Sequence, residues 1–167
     1  MVAQDQALFE SLHRDYQPMV MQLCMGFMKG DKDLAKDLSQ DIFINTWNAL
    51  DKFKGASSYK TWIYRITVNT CLKYIRDKKD GKHVPMDGVS HQLTNELDTN
   101  AAESHQTLYR AIGQLDEVDR LIIMMVLDEL GYEEIASVVG ISANNLRVKI
   151  YRIKKNLKEI IEHDAAR

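Results

Sequence analysis

Trp62, Arg65, Asn69, Lys73 and Arg76 recur at i, i+3, i+7, i+11 and i+14. On a helix that spacing draws one stripe of an aromatic ring, an amide and three cations. The set suits a single nucleic-acid strand. The ring can stack on an unpaired base, the amide can bond its edge, and the cations can hold the backbone phosphates. Just before the stripe, Phe53, Gly55, Ser57 and Ser58 form a loop with small residues, where a base turned out of its stack could enter. The plainer reading of Trp62 is a core residue at a helix start.

A second constellation lies near the C-terminus. Tyr132-Glu133-Glu134-Ile135-Ala136, then Val139-Gly140-Ile141-Ser142, has the pattern of a helix-turn-helix. Ile135 and Val139 point inward at i and i+4, and Ala136 is small where a second helix must cross. Gly140 permits a sharp turn, and Ser142 can cap the next helix. On that helix Leu146, Ile150, Ile153 and Leu157 fall within about 60° of one another, an apolar anchor. Arg147, Tyr151, Arg152, Lys154, Lys155 and Lys158 take the other side. Arg and Asn side chains near the start of such a helix suit base edges in a groove, and the later lysines suit phosphates. A solvated amphipathic helix would show the same charge run, but not the spaced helix and glycine turn ahead of it.

The helix read over 33–50 differs in character. Asp33, Asp37, Gln40, Asp41, Asn45 and Asn48 make an acidic and amide surface opposite Leu34, Leu38 and Ile42. No histidine lies near enough to complete a metal set, and no partner that would raise a carboxylate pKa can be named. Neither a catalytic group nor a metal site is assigned. A solvated face or a protein-docking surface fits better.

The elements that carry these residues read as helices throughout. Residues 4–28 repeat Leu8, Leu12, Tyr16, Met19, Leu23 and Phe27 at helical spacing. Gly30-Asp31 is a break, and Asp33 can cap a second helix running through Leu34, Leu38, Ile42, Trp47 and Leu50. A third spans Tyr59 to about Lys79, with Ile63, Ile66, Thr70 and Tyr74 as its packing face. Further helices run from near Ala101 to Leu115, from 117 to 130 with Gly131 ending it, from Glu133 to Val139, and from Ser142 onward. No strand pattern of useful length occurs. The fold class is all-α: two small helical domains, 1–80 and 105–167, joined by a flexible linker over 81–104.

Charge is distributed to match. The chain has 22 basic and 24 acidic residues among 167, a net charge of −2 that by itself suggests no nucleic acid. Yet Tyr59 to Lys82 and Ser142 to Lys158 are strongly cationic, and His83 to Gln106 has no Lys or Arg while holding Asp87, Glu96, Asp98 and Glu103. Two cationic helices on an acidic tether read as a protein that grips one polyanion at two places. The N-terminus has neither the basic start nor the apolar run of a signal peptide, and no segment is apolar for the roughly 20 residues of a membrane span. Cys24 and Cys71 read as buried thiols of a reducing compartment.

Three strings then resemble region 2 of bacterial RNA polymerase sigma factors of the extracytoplasmic-function (ECF) group. They are Asp37-Leu38-Ser39-Gln40-Asp41-Ile42-Phe43-Ile44, Ala49-Leu50-Asp51-Lys52-Phe53-Lys54-Gly55 and Thr61-Trp62-Ile63-Tyr64-Arg65-Ile66-Thr67-Val68-Asn69. Tyr132 to Ala136 and Leu146 to Lys154 resemble region 4. The likeness implies a cytoplasmic, dissociable subunit that does no covalent chemistry and carries no cofactor. It would direct core RNA polymerase to −35 and −10 promoter elements and help melt the DNA. Asp37, Gln40, Asp41 and Asn45 would then dock on the β′ clamp helices, and the C-terminal domain on the β flap. Phe53, Ser57, Ser58, Trp62, Arg65, Asn69, Lys73 and Arg76 would capture the non-template strand of the −10 element. Asn144, Asn145, Arg147, Lys149, Tyr151, Arg152, Lys154 and Lys155 would read the −35 element. An anti-sigma factor is the expected inhibitor. The chain departs from the family where many members have Gly-Thr, carrying Asn144-Asn145 before Leu146. Two rival readings are a helix-turn-helix regulator with an N-terminal sensor domain and a helical enzyme using the Asp cluster. Neither would require polymerase.

Overall fold

The helical periods become seven α-helices in the computed structural model, which describes the backbone of residues 2–81 and 99–166. They are α1 (Val2–Phe27), α2 (Lys32–Ala49), α3 (Tyr59–Lys79), α4 (Thr99–Gly113), α5 (Glu117–Leu127), α6 (Tyr132–Val139) and α7 (Ala143–Ala165), with a 3-10 turn Leu50–Lys52 after α2. There is no strand among the described residues. The acidic stretch read as a linker, 81–104, lies for the most part outside them.

Local chemistry sets the helix starts. Asp31, not Asp33, caps α2: its carboxylate accepts from the Leu34 amide at 3.1 Å, and Asp33 stands in the first turn. Ser58 caps α3 and Ser142 caps α7, accepting from the Thr61 and Asn145 amides at 3.2 and 3.1 Å. Each such cap is worth about 1 kcal/mol. α5 stops at Leu127, earlier than its apolar run suggests, because Glu129 takes a positive φ of 61° and turns the chain. Gly131 therefore opens α6 and does not close α5.

Two faces differ from the periods read in the sequence. On α2, Leu34 and Trp47 are 39% and 41% exposed, and the buried face is Ala35, Leu38, Ser39, Ile42, Phe43 and Thr46. Trp47 stands five residues after Ile42, and at about 100° per residue it swings well off that face. On α3 the buried face is Ile63, Tyr64, Thr67, Val68, Cys71 and Ile75, roughly a quarter-turn from the expected one. The cause is tertiary: α3 is covered by α1 and α2 on one side and by α5 and α6 on the other.

The N-terminal helices α1–α3 and the C-terminal helices α4–α7 share one continuous apolar core. α5 packs against α1, and a Cβ on Gly26 would stand 2.2 Å from the Met124 sulfur, so any larger residue there would require the Met124 side chain to move. Arg120 of α5 is 7% exposed. Its guanidinium donates to the Phe27 carbonyl at 3.0 Å and the Leu115 carbonyl at 2.8 Å, and lies 5.4 Å from the Phe27 ring centre. Burial lowers its pKa below the ordinary value. It satisfies the Phe27 carbonyl at the end of α1 and the Leu115 carbonyl in the turn between α4 and α5. The Tyr64 hydroxyl donates to Asp128, and the Lys60 ammonium sits 3.8 Å from the same carboxylate.

Candidate nucleic-acid interface

The cap bonds at Ser58 fix the first turn of α3, and the loop before it folds back as an aromatic cluster. Phe53 packs on Tyr59 and Trp62 with ring centres 4.6 and 4.9 Å apart. Trp62 is partly buried, one face in this cluster, so it is neither a plain core residue nor a free stacking platform. The Ser58 hydroxyl is engaged twice, accepting from the Thr61 amide and donating to the Thr61 hydroxyl at 3.1 Å. The Ser57 hydroxyl donates to the Ser58 carbonyl at 3.2 Å.

Further along α3 the expected single stripe divides. Asn69, Arg76 and Lys79 line a cleft of about 900 Å³ between α3 and the start of α5. Across it stand Asp116, Glu117 and Asp119, with Lys149 of α7 at its edge. Lys73 belongs to a second, smaller cleft of about 250 Å³, with Asp41 and Asn45 of α2 and Asp77. Arg65 is the remaining cation of the stripe, and its guanidinium donates to the Ser137 hydroxyl of α6 at 2.8 Å. The structure thus brings Asn69 and Arg76 together, turns Lys73 toward α2, and spends Arg65 on the helix-turn-helix.

In the C-terminal half, Gly140 takes φ 86° and its amide donates to the Ala136 carbonyl at 2.8 Å, which makes the sharp turn out of α6. Leu146, Ile150, Ile153 and Leu157 are buried, as their spacing requires. At roughly 1.5–3 kcal/mol for each fully buried side chain, they anchor α7 firmly. Arg147, Arg152, Lys154 and Lys155 are exposed on the opposite side, as is Tyr151 at 69%. Asn144 accepts from the Arg147 guanidinium at 3.3 Å, and Asn145 is exposed beside it. Lys149 differs from these: its ammonium pairs with Asp119 of α5 at 3.1 Å and is turned away from the exposed cationic face.

The acidic and amide residues of α2 sit on a ridge between two grooves. Asp37, Gln40 and Asp41 are exposed. Asn45 donates to the Thr70 hydroxyl of α3 at 3.0 Å and so ties the two helices. On the far side of the ridge a groove of about 560 Å³ runs between α1 and α2, lined by Phe9, His13, Gln40, Phe43, Ile44 and Trp47 among others. Its apolar floor was not read from the sequence. The signal was the misplaced Trp47, together with Ile44, which is 56% exposed beside the carboxylates. Among the described residues no group of three or more His, Cys, Asp or Glu side chains stands close enough to hold a metal ion, and no helix is long and apolar enough to cross a membrane.

Comparison with known proteins gives concordant results. Residues 12–80 match the sequence pattern of the family described as Sigma-70 region 2, and residues 105–157 that of Sigma-70, region 4. The ECF RNA polymerase sigma-E factor of Escherichia coli (strain K12) is 30% identical over 172 aligned positions, covering 95% of this chain and 88% of that relative. The RNA polymerase sigma-H factor of Pseudomonas aeruginosa is 28% identical over 175, with the same coverage of 95% and 88%. In fold the chain is similar to the sigma factor RpoE in complex with the anti-sigma factor NepR from Bartonella quintana, with a TM-score of 0.72 at 20% identity over 92% of this chain and 96% of that one. It is similar also to CnrH in complex with the cytosolic domain of CnrY, with a TM-score of 0.69 at 23% identity over 97% and 95%.

Proposed function

The chain belongs to the ECF sigma factors of bacterial RNA polymerase, and from that membership we infer how its helices divide the work of promoter recognition. It is a promoter-recognising polymerase subunit and not an enzyme. The division follows two modules, 1–80 and 105–167, tethered by 81–104. The observation that carries the reading is a pair of cationic faces on helices whose opposite sides are buried: Asn69 and Arg76 on α3, and Arg147, Tyr151, Arg152, Lys154 and Lys155 on α7.

α7 enters the major groove of the −35 element. Asn144, Asn145 and Arg147 at its start and Arg152 in its third turn read base edges, while Lys154 and Lys155 hold phosphates. Lys149 joins them once its pairing with Asp119 is released. α3 captures the non-template strand of the −10 element. Phe53 and Trp62 offer aromatic surface to an everted base, with Ser57 and Ser58 bordering it and Ser58 also holding the helix start. Asn69 bonds the base edge, and Arg65, Lys73 and Arg76 hold the strand. Melting is then driven by capture, since a few kcal/mol of unstacking is offset by contacts available only to an open strand.

The α2 ridge of Asp37, Gln40, Asp41 and Asn45 docks on the polymerase β′ clamp helices, and the C-terminal module on the β flap. An anti-sigma factor holds the protein inactive, as the two structural neighbours are each seen with a protein partner. The site of action is the cytoplasm, where polymerase and chromosome are.

Reconstituted transcription tests the assignment. Core polymerase with this protein should initiate at defined promoters, and Asn69→Ala should suppress permanganate reactivity of the melted segment more than duplex binding. Reactivity equal to the unsubstituted protein's would remove Asn69 from strand capture. An absence of any initiation would remove the function.

A further inference from the structure

The cationic face of α7 carries a wholly apolar side chain at its centre. Val148 is 50% exposed, in a stretch whose other exposed residues offer guanidinium, ammonium, amide and phenol groups. Its position matters more than its exposure, since single apolar side chains are common on protein surfaces. At about 100° per residue, Val148 lies about 170° from the centre of the buried stripe Leu146, Ile150, Ile153 and Leu157. Asn144 and Arg152 stand about 40° to either side of it, and Arg147 and Lys149 about 100°. The valine is at the pole of the face that α7 turns outward.

On a helix seated in a major groove, the pole meets the floor, where the base edges lie. Long side chains swing from flank to floor. Valine does not: branching at Cβ holds it in one preferred χ1, so it touches only what stands directly before it. The edges there are donors and acceptors, with one apolar group among them, the C5-methyl of thymine. A valine set on guanine O6 or adenine N6 would strip that atom of water and return no hydrogen bond. Set on a thymine methyl, it lets both apolar surfaces leave water together. The Tyr151 ring, 69% exposed at i+3 from the valine, walls the same contact from the side. A merely solvated helix face would gain from Ala, Lys or Glu here, because a β-branched residue weakens a helix.

We propose that Val148 is a specificity-determining residue: packed on the C5-methyl of a thymine, it selects one T·A pair within the upstream element. This rests on the reading of α7 as the helix that enters the −35 major groove. The register follows from helix geometry. Val148 and Arg152 are about 6 Å apart along the axis of α7, and successive base pairs rise about 3.4 Å. The selected thymine therefore lies within about two base pairs of the guanine that Arg152 reads.

Replacing one thymine at a time with deoxyuridine removes the methyl and leaves the base's hydrogen-bonding edge intact. The probe is a duplex carrying a promoter at which the reconstituted holoenzyme initiates, with each thymine of the upstream element so replaced on either strand. Burying one methyl is worth about fourfold in affinity. Wild type should lose about fourfold at a thymine within about two base pairs of the guanine whose substitution ceases to matter in Arg152→Ala. Val148→Ser, an exposed change that leaves folding intact, should bind the thymine and uracil forms of that site within about 1.5-fold of each other. A wild type indifferent to every uracil, a sensitive thymine further off, or a Val148→Ser variant that keeps the full loss overturns the proposal. Arg152→Ala and exchange of the whole upstream element separate the two layers. If both weaken binding while no uracil does, Val148 alone is removed and α7 still reads the element. If neither weakens binding, the reading of α7 itself has failed.

Discussion

Replacing Arg152 with alanine separates reading from folding. Arg152 stands on the exposed face of α7, and its guanidinium makes no hydrogen bond or ion pair among the described residues, while the buried stripe on the opposite side carries the packing of that helix. Truncation therefore creates no cavity and orphans no polar group. Alanine is also a strong helix former, so folding stability should change by no more than about 0.5 kcal/mol. All of the effect then falls on DNA. A guanidinium bonded bidentately to a guanine edge is worth about 1–3 kcal/mol, which is about 5- to 150-fold in affinity. A phosphate contact would behave differently, weakening every sequence alike and reducing the salt slope by about 0.9. Fluorescence anisotropy of the holoenzyme on a promoter duplex, on the same duplex with a substituted upstream element and on random DNA, across a salt series, distinguishes these. The expected result is a loss confined to the intact element with an unchanged slope. Equal losses on all three duplexes would refute base reading by Arg152, and a drop in the urea midpoint equivalent to more than 1 kcal/mol would refute the claim that it is structurally idle.

Other substitutions probe residues whose roles the fold reassigns. Ser58→Ala should destabilise the protein by about 1 kcal/mol through loss of the α3 cap, seen as a lower urea midpoint before any DNA is added. Arg120→Met should cost about 3 kcal/mol, because the Phe27 and Leu115 carbonyls lose charged donors, and Arg120→Lys should recover part of it in the same urea titration. Cys24 should resist iodoacetamide in the native state: burial pushes its pKa up to about 12, so at pH 8 only about one thiol in ten thousand is ionised. The same shift sets a pH dependence. The folded thiol keeps a proton that the unfolded one releases above its ordinary value of 9.0, so its contribution to stability is complete below pH 9 and declines at up to about 1.4 kcal/mol per unit as pH rises toward 12. Alkaline urea titrations of wild type and Cys24→Ala should converge if this holds.

Helix content, the two cationic helices and the helix-turn-helix were legible in the sequence because they depend on neighbours three or four residues apart. Apolar spacing, a glycine at positive φ and a serine cap suffice to build α6, its turn and α7, and the buried stripe from Leu146 to Leu157 lies where its period puts it. Other features depended on partners far along the chain. The buried arc of α3 is set by helices on both sides of it, so a period read from one helix put Ile66 and Tyr74 where Tyr64 and Val68 belong. Trp47 read as core and stands partly exposed over a groove. Nothing local to Tyr64 announces Asp128, sixty-four residues away, nor does Gly26 announce Met124. Local patterning decided which faces are cationic. Whether those faces meet solvent or the chain's own carboxylates was decided by tertiary packing, because burial is a property of two surfaces and a sequence period describes only one.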